Sequence, residues 1–146
     1  MKDVTLRQAF DTRYTRLVEQ SERWGRCLPS KDELRNKLEH CFLDGFNCCY
    51  CGCKMLRHQT APSFQAFSID HYIPLAAGGD NTTSSIVFCC HSCNIVKGTM
   101  TGDTFKELLK SITVMLKNKV FLEIWKGRLA DKLERVGRGS RYDKTD

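Results

Sequence analysis

SIDHYIPLAAGGDNTTSSIVFCCHSCNIVKG, residues 68 to 98, decides the fold. Phe64, Phe67 and Ile69 lead into Asp70-His71 and read as a strand ending at those two polar residues. PLAAGGDNTTSS, residues 74 to 85, is a loop by composition. Ile86-Val87-Phe88-Cys89 reads as a second short strand, and residues 91 to 99 as a short helix ending at Gly98. When the strands pair and the helix folds across them, Asp70, His71 and Asn94 meet on one face of a ββα unit.

Cysteines bracket that unit. Nine occur, at 27, 41, 48, 49, 51, 53, 89, 90 and 93, and the odd count without a secretion signal argues against a disulfide framework. Cys48-x-x-Cys51 and Cys90-x-x-Cys93 have knuckle spacing, and Gly52 eases the tight turn after the first pair. Four thiolates form a closed, structural Zn²⁺ site with no open position for a substrate. They add a net charge of about −2 to the formal +6 of the chain. Cys49 and Cys53 compete as ligands, whereas Cys27, Cys41 and Cys89 read as small buried hydrophobes.

With the zinc closed, catalysis has to sit elsewhere, and the polar residues of the strand end supply it. A carboxylate at Asp70 and an amide carbonyl at Asn94 suit Mg²⁺, a hard cation that keeps most of its waters for phosphate oxygens. A neutral imidazole at His71 takes a proton from water, because histidine's ordinary pKa of about 6.5 suits a general base near neutral pH. The cation would neutralise charge on a scissile phosphate and its leaving 3′ oxygen. Lys97, one turn along the helix, can meet a phosphate. Taken singly, Asp70-His71 is a strand-end pair, Asn94 a helix-start residue and Lys97 a solvated lysine; their joint placement between two Cys pairs is the signal.

DH-x2-PL-x2-GG at 70 to 79, C-x2-CN-x2-KG at 90 to 98 and CYCG at 49 to 52 together resemble the zinc-knuckle branch of the HNH nucleases, the His-Me finger or ββα-metal enzymes. The resemblance covers residues 48 to 98. It implies that Asp70 binds the catalytic metal, His71 is the general base and Asn94 completes the metal site. The family's middle Asn, which braces the loop, falls at Ser85, so the resemblance leaves the bracing to the Ser85 hydroxyl or to Asn81. It further implies a DNA endonuclease that uses Mg²⁺ or Mn²⁺ and leaves 5′-phosphate and 3′-hydroxyl ends. The alternative is a non-catalytic zinc-stabilised nucleic-acid-binding domain. A redox or thiol enzyme fits less well, because the CxxC cysteines are consumed as ligands.

Outward from the block, the chain of 146 residues is 41% hydrophobic and 27% charged, the balance of a globular protein. The expected fold class is α+β, mostly helical around a zinc-stapled core. Residues 1–44 form an N-terminal helical arm, 45–100 the core, 101–137 a long C-terminal helix and 138–146 a flexible basic tail. Helical spacing runs over 1 to 26, and Ser30-Lys31-Asp32-Glu33 has capping-box spacing before a helix from 31 to about 43. Arg7, Arg13, Arg16, Arg23, Arg26 and Lys31 precede the core, and Lys126, Arg128, Lys132, Arg135, Arg138, Arg141 and Lys144 follow it. They read either as phosphate contacts or as a solvated face. Phe64, Phe67, Tyr72 and the tryptophans read as core. The wide apolar surface of the last helix packs on the arm or on a second copy, and a homodimer is expected; in layout the chain is distantly similar to small junction-resolving endonucleases. No stretch reaches the ~20 apolar residues of a membrane span and no signal peptide is read, so a cytoplasmic setting is expected, in a prokaryote or a phage-infected host.

Overall fold

A computed structural model of the chain describes residues 4–57, 64–120, 123–124 and 127–128. They fall into two compact units divided after Lys106. The architecture is α+β, with helices and one small antiparallel hairpin among the described residues.

In the first unit, α1 (Val4–Arg23) buries Leu6, Phe10, Leu17 and Ser21, which fall on one helical face. α2 (Lys31–Leu43) starts at a realised capping box. Glu33 N donates to Ser30 Oγ at 3.2 Å and Ser30 N donates to Glu33 Oε2 at 2.8 Å. Leu34 and Leu38 are fully buried behind it. Lys37 reaches from α2 to donate to the carbonyls of Thr83 and Ile86, at 2.6 and 2.5 Å, and so ties the arm to the end of the central loop.

β1 (Phe67–His71) pairs antiparallel with β2 (Ile86–Cys90), setting Phe67 opposite Cys90 and His71 opposite Ile86. α3 (His91–Lys97) follows β2 without a loop, because Cys90 is both the last strand residue and the helix N-cap. The result is a ββα unit over a core of Phe46, Phe67, Phe88 and Ile86. Ring centroids of Phe46–Phe67 and Phe67–Phe88 lie 5.8 and 5.6 Å apart. Burying each such ring contributes about 1.5–3 kcal/mol.

The loop between the strands is built rather than slack. Tyr72 N donates to Ser85 O at 2.8 Å, closing its base, and a 3₁₀ turn spans Leu75–Ala77. Gly79 is required here, since a Cβ would stand 1.9 Å from Ile73 O. Asp80 accepts from Thr82 N and Thr82 Oγ1, and the Ser85 hydroxyl lies 2.8 Å from both Asp80 O and Thr82 O.

α4 (Gly102–Lys117) begins in the first unit, where Phe105 is buried and Tyr72 donates to Asp103 Oδ1 at 2.6 Å. Its remainder belongs to the second unit and exposes Leu108, Ile112, Met115 and Leu116. Of the helix expected over 101–137, α4 covers Gly102–Lys117, and residues 119–120, 123–124 and 127–128 are helical again. Asn118 interrupts it, its Oδ1 accepting from Val120 N at 3.0 Å, as a residue that caps the following turn does. The end of that expected helix and the basic tail 138–146 lie outside the described residues. Three expectations about the core are corrected as well. Trp24 and Phe64 are 55% and 78% exposed, and Cys27 is exposed too, because each sits in a segment outside the helix and strand faces that pack.

Candidate active site

The first CxxC turns because Gly52 takes φ +73° and donates to Cys48 O at 3.0 Å. The second occupies the N-cap and first turn of α3. Together they bring Cys48, Cys51, Cys90 and Cys93 to one place, with all four Sγ atoms within 4.8 Å of one another. Four thiolates at Zn–S of about 2.3 Å stand about 3.8 Å apart in a tetrahedron. The Cys51 and Cys90 sulfurs are separated by 3.8 Å. Donor type and spacing therefore fit a structural zinc. Tyr50 N donates to Cys48 Sγ and the Ser92 hydroxyl contacts Cys90 Sγ, both at 3.4 Å. Burial raises the Cys90 thiol, but hydrogen bonds from Ser92 and Cys93 outweigh it and bring it to about 7. Burial pushes the Cys93 thiol well above the usual range, so it would release its proton on binding a metal. Cys49 and Cys53 are not in the cluster; burial raises both to about 12, and the contacts of Cys53 with Cys51 and Cys90 add to the effect.

A cavity of about 570 Å³ opens on the ββα unit, and Asp70, His71 and Asn94 all line it. His71 is 7% exposed at the end of β1, and its Nε2 is hydrogen-bonded to Asn81 Oδ1. That acceptor fixes the proton on Nε2 and leaves Nδ1 as the basic nitrogen. Asn81 is itself buried and donates from Nδ2 to the buried Ser21 hydroxyl of α1 at 3.1 Å. Asn81 thus holds the imidazole, while Ser85 holds the loop backbone.

Asp70 shows how two oxygens divide their work. Oδ2 accepts from Tyr50 Oη at 2.7 Å and pairs with Lys97 Nζ at 3.0 Å; Oδ1 has no partner among the described residues. Burial and the bond to Asp70 push the Tyr50 phenol well up, so it stays a donor. Asn94 divides similarly. Its Nδ2 donates to Ser68 Oγ at 2.7 Å and weakly to Ile69 O at 3.4 Å, leaving Oδ1. The two remaining oxygens belong to side chains lining one cavity, a donor set that suits a hard cation completed by water and phosphate.

Lys97 departs from its expected place. It is 1% exposed, and its ammonium is occupied by Asp70 Oδ2 and by His71 O at 2.9 Å. The lysine supports the site from behind, because its side chain turns inward from the last turn of α3 rather than toward solvent.

Several lining residues were not singled out from the sequence as part of the site. His91 and Ser68 come from the ββα unit, α1 supplies Arg13, Arg16, Gln20 and Arg23, and Trp24 follows on its end. Arg13 is held in place, donating to Ala9 O at 3.0 Å with its guanidinium 5.2 Å from the Phe67 ring centroid. Arg16 and Arg23 are exposed. The helical spacing of α1 was readable, but not the cavity that its face would line.

Compared with known families, residues 48–110 match the family model for HNH endonuclease. The match takes in both CxxC pairs, the hairpin, α3 and the start of α4, and leaves out α1 and α2. No curated protein matches the chain.

Proposed function

We propose that this cavity is the active site of a metal-dependent DNA endonuclease that hydrolyses phosphodiester bonds to leave 5′-phosphate and 3′-hydroxyl ends. The observation that carries the reading is the convergence of Asp70, His71 and Asn94 on one cavity within the block that matches the HNH endonuclease model. Asp70 Oδ1 and Asn94 Oδ1 are the atoms that would hold Mg²⁺ or Mn²⁺. Such a cation, when bound, supplies charge neutralisation at the phosphate and the leaving 3′ oxygen. His71 takes the proton of the attacking water on Nδ1, while Asn81 keeps the other ring nitrogen protonated and the ring oriented. Tyr50 and Lys97 hold the Asp70 carboxylate by its other oxygen. A zinc held by Cys48, Cys51, Cys90 and Cys93 would fix the turn that carries Tyr50 and the start of the helix that carries Asn94, in keeping with the zinc-knuckle branch of the family.

The test is end chemistry on cut DNA. Products made by the zinc-loaded protein with Mg²⁺ should be sealed by DNA ligase and extended by a polymerase, which requires a 5′-phosphate and a 3′-hydroxyl. Products with 3′-phosphate ends, or none at all, would refute the reading. One observation favours a second reading, a zinc-stabilised nucleic-acid-binding domain without catalysis: Asp70 already has a buried cationic partner in Lys97. Tight binding of DNA with no Mg²⁺-dependent cutting would favour it. The exposed stripe Leu108, Ile112, Met115 and Leu116 of α4 supports a homodimer. Sedimentation equilibrium measures this directly against the 16.8 kDa of one chain.

A further inference from the structure

The part of the cavity that α1 builds lies outside the block matched by the family model. Arg16, Gln20 and Arg23 recur at helical spacing along one face of α1 and span about 10 Å at 1.5 Å per residue. Neither arginine forms a hydrogen bond or ion pair among the described residues. Lys31, Arg35 and Lys97 of the same unit are all paired. Trp24 follows directly on the helix, lines the same cavity and is 55% exposed. Two unpaired guanidiniums, an amide and a half-exposed indole therefore share a cavity with the candidate catalytic residues.

Resting on the reading of that cavity as a phosphodiesterase site, we propose that the Arg16–Gln20–Arg23 stripe binds the nucleic-acid strand flanking the scissile phosphate, and that Trp24 stacks on an unpaired base beside it. The preferred substrate then carries single-stranded nucleotides at the cut: a single strand, a gap, a flap or a branch point. Guanidiniums take phosphates without regard to sequence. An indole needs the π-face of a base, and inside a continuous duplex both faces of every base are covered by their neighbours. Only an unpaired or end base offers a face to it. The wall combines a cationic track with an aromatic platform, the pairing that single-strand grooves use.

Binding, rather than cutting, tests this. The chain has two tryptophans, Trp24 and Trp125, so Trp125→Phe leaves Trp24 as the sole indole. Without added Mg²⁺, this variant is titrated with a single-stranded oligonucleotide, the matching blunt duplex and the same duplex carrying a short gap. The single strand and the gapped duplex should quench the fluorescence strongly, and the blunt duplex, which offers only its two end pairs, far less. Trp24→Ala, checked for a parental circular dichroism spectrum, should weaken single-strand binding about 5- to 100-fold while changing blunt-duplex binding less than about twofold. Arg16→Ala and Arg23→Ala should weaken all three substrates alike, each lowering the slope of log affinity against log salt by about one. Equal quenching by blunt duplex, or a Trp24→Ala variant that binds single strands like the parent, overturns the proposal. The two readings fail separately. Mg²⁺- and His71-dependent cutting of blunt duplex with a silent Trp24 removes this inference and leaves the nuclease. Selective binding of unpaired strands with no cutting does the reverse.

Discussion

Replacing Lys97 by Met asks whether the lysine supports the site or meets the substrate. Methionine fills most of the same buried volume, so little of the effect comes from a cavity. What is lost is the ammonium, which pairs with Asp70 Oδ2 at 3.0 Å and donates to His71 O at 2.9 Å. Breaking a fully buried pair from one side costs about 3–5 kcal/mol. The Asp70 side chain is 12% exposed and lines the cavity, so water can reach the stranded carboxylate. The expected cost is therefore lower, about 2–3 kcal/mol. At about 2–4 °C per kcal/mol for a chain near this size, Tm should fall by roughly 5–10 °C. Urea unfolding of the zinc-loaded protein measures it, with Asp70→Asn added as the second arm. Removing the orphaned charge should recover about 1 kcal/mol relative to Lys97→Met alone. A Lys97→Met variant within about 0.5 kcal/mol of the parent, or a double variant with no recovery, would refute the buried pair. If the lysine instead faced a phosphate, stability would hold while DNA affinity and its salt slope fell.

The purified protein should carry one Zn²⁺ per chain by elemental analysis, and chelation or Cys93→Ser should unfold the central block as seen by circular dichroism, because zinc binding is largely folding free energy. Asp70→Asn should lose cleavage yet recover part of it on titration with Mn²⁺, whereas His71→Ala should stay about 10²–10⁴ down at any metal concentration; equal rescue would undo the division of roles. Because His71 is buried on Asn81, His71→Ala should also cost about 1–2 kcal/mol in an unfolding titration. Ser21→Ala removes the hydroxyl that holds Asn81 Nδ2. It should lower kcat for cleavage with KM unchanged and cost about 1 kcal/mol, even though Ser21 lies outside the matched block.

Much of the central block was legible because its signals are local. A β-rich run ending in Asp-His, a Gly-rich loop and two CxxC pairs each constrain only a few consecutive residues, and all of these elements stand where they were expected. The capping box at Ser30–Glu33 was readable for the same reason. The sequence failed where a side chain's direction depends on distant packing. Lys97 reads as a solvated lysine at a helix end, and only the approach of Asp70 and His71 O makes it a buried one. Asn81 was one of two candidates for bracing the loop, and its partner Ser21 lies 60 positions away, beyond any local pattern. Tyr50 sits between two metal ligands and looks like filler until its hydroxyl reaches Asp70. The break at Asn118 in the last helical stretch was not legible from apolar spacing, because it comes from a side chain that competes for backbone hydrogen bonds.

The central claim is that His71 acts as base in a cation-dependent hydrolysis, and single-turnover cleavage tests it most directly. Zinc-loaded parent and His71→Ala protein are each incubated with end-labelled gapped duplex and with supercoiled plasmid, with Mg²⁺ and without. Cleavage by the parent that requires Mg²⁺ and falls about 10²–10⁴ in the variant is the result expected. A parent that leaves both substrates intact at every Mg²⁺ and Mn²⁺ concentration, or a variant that cuts as fast as the parent, would contradict it.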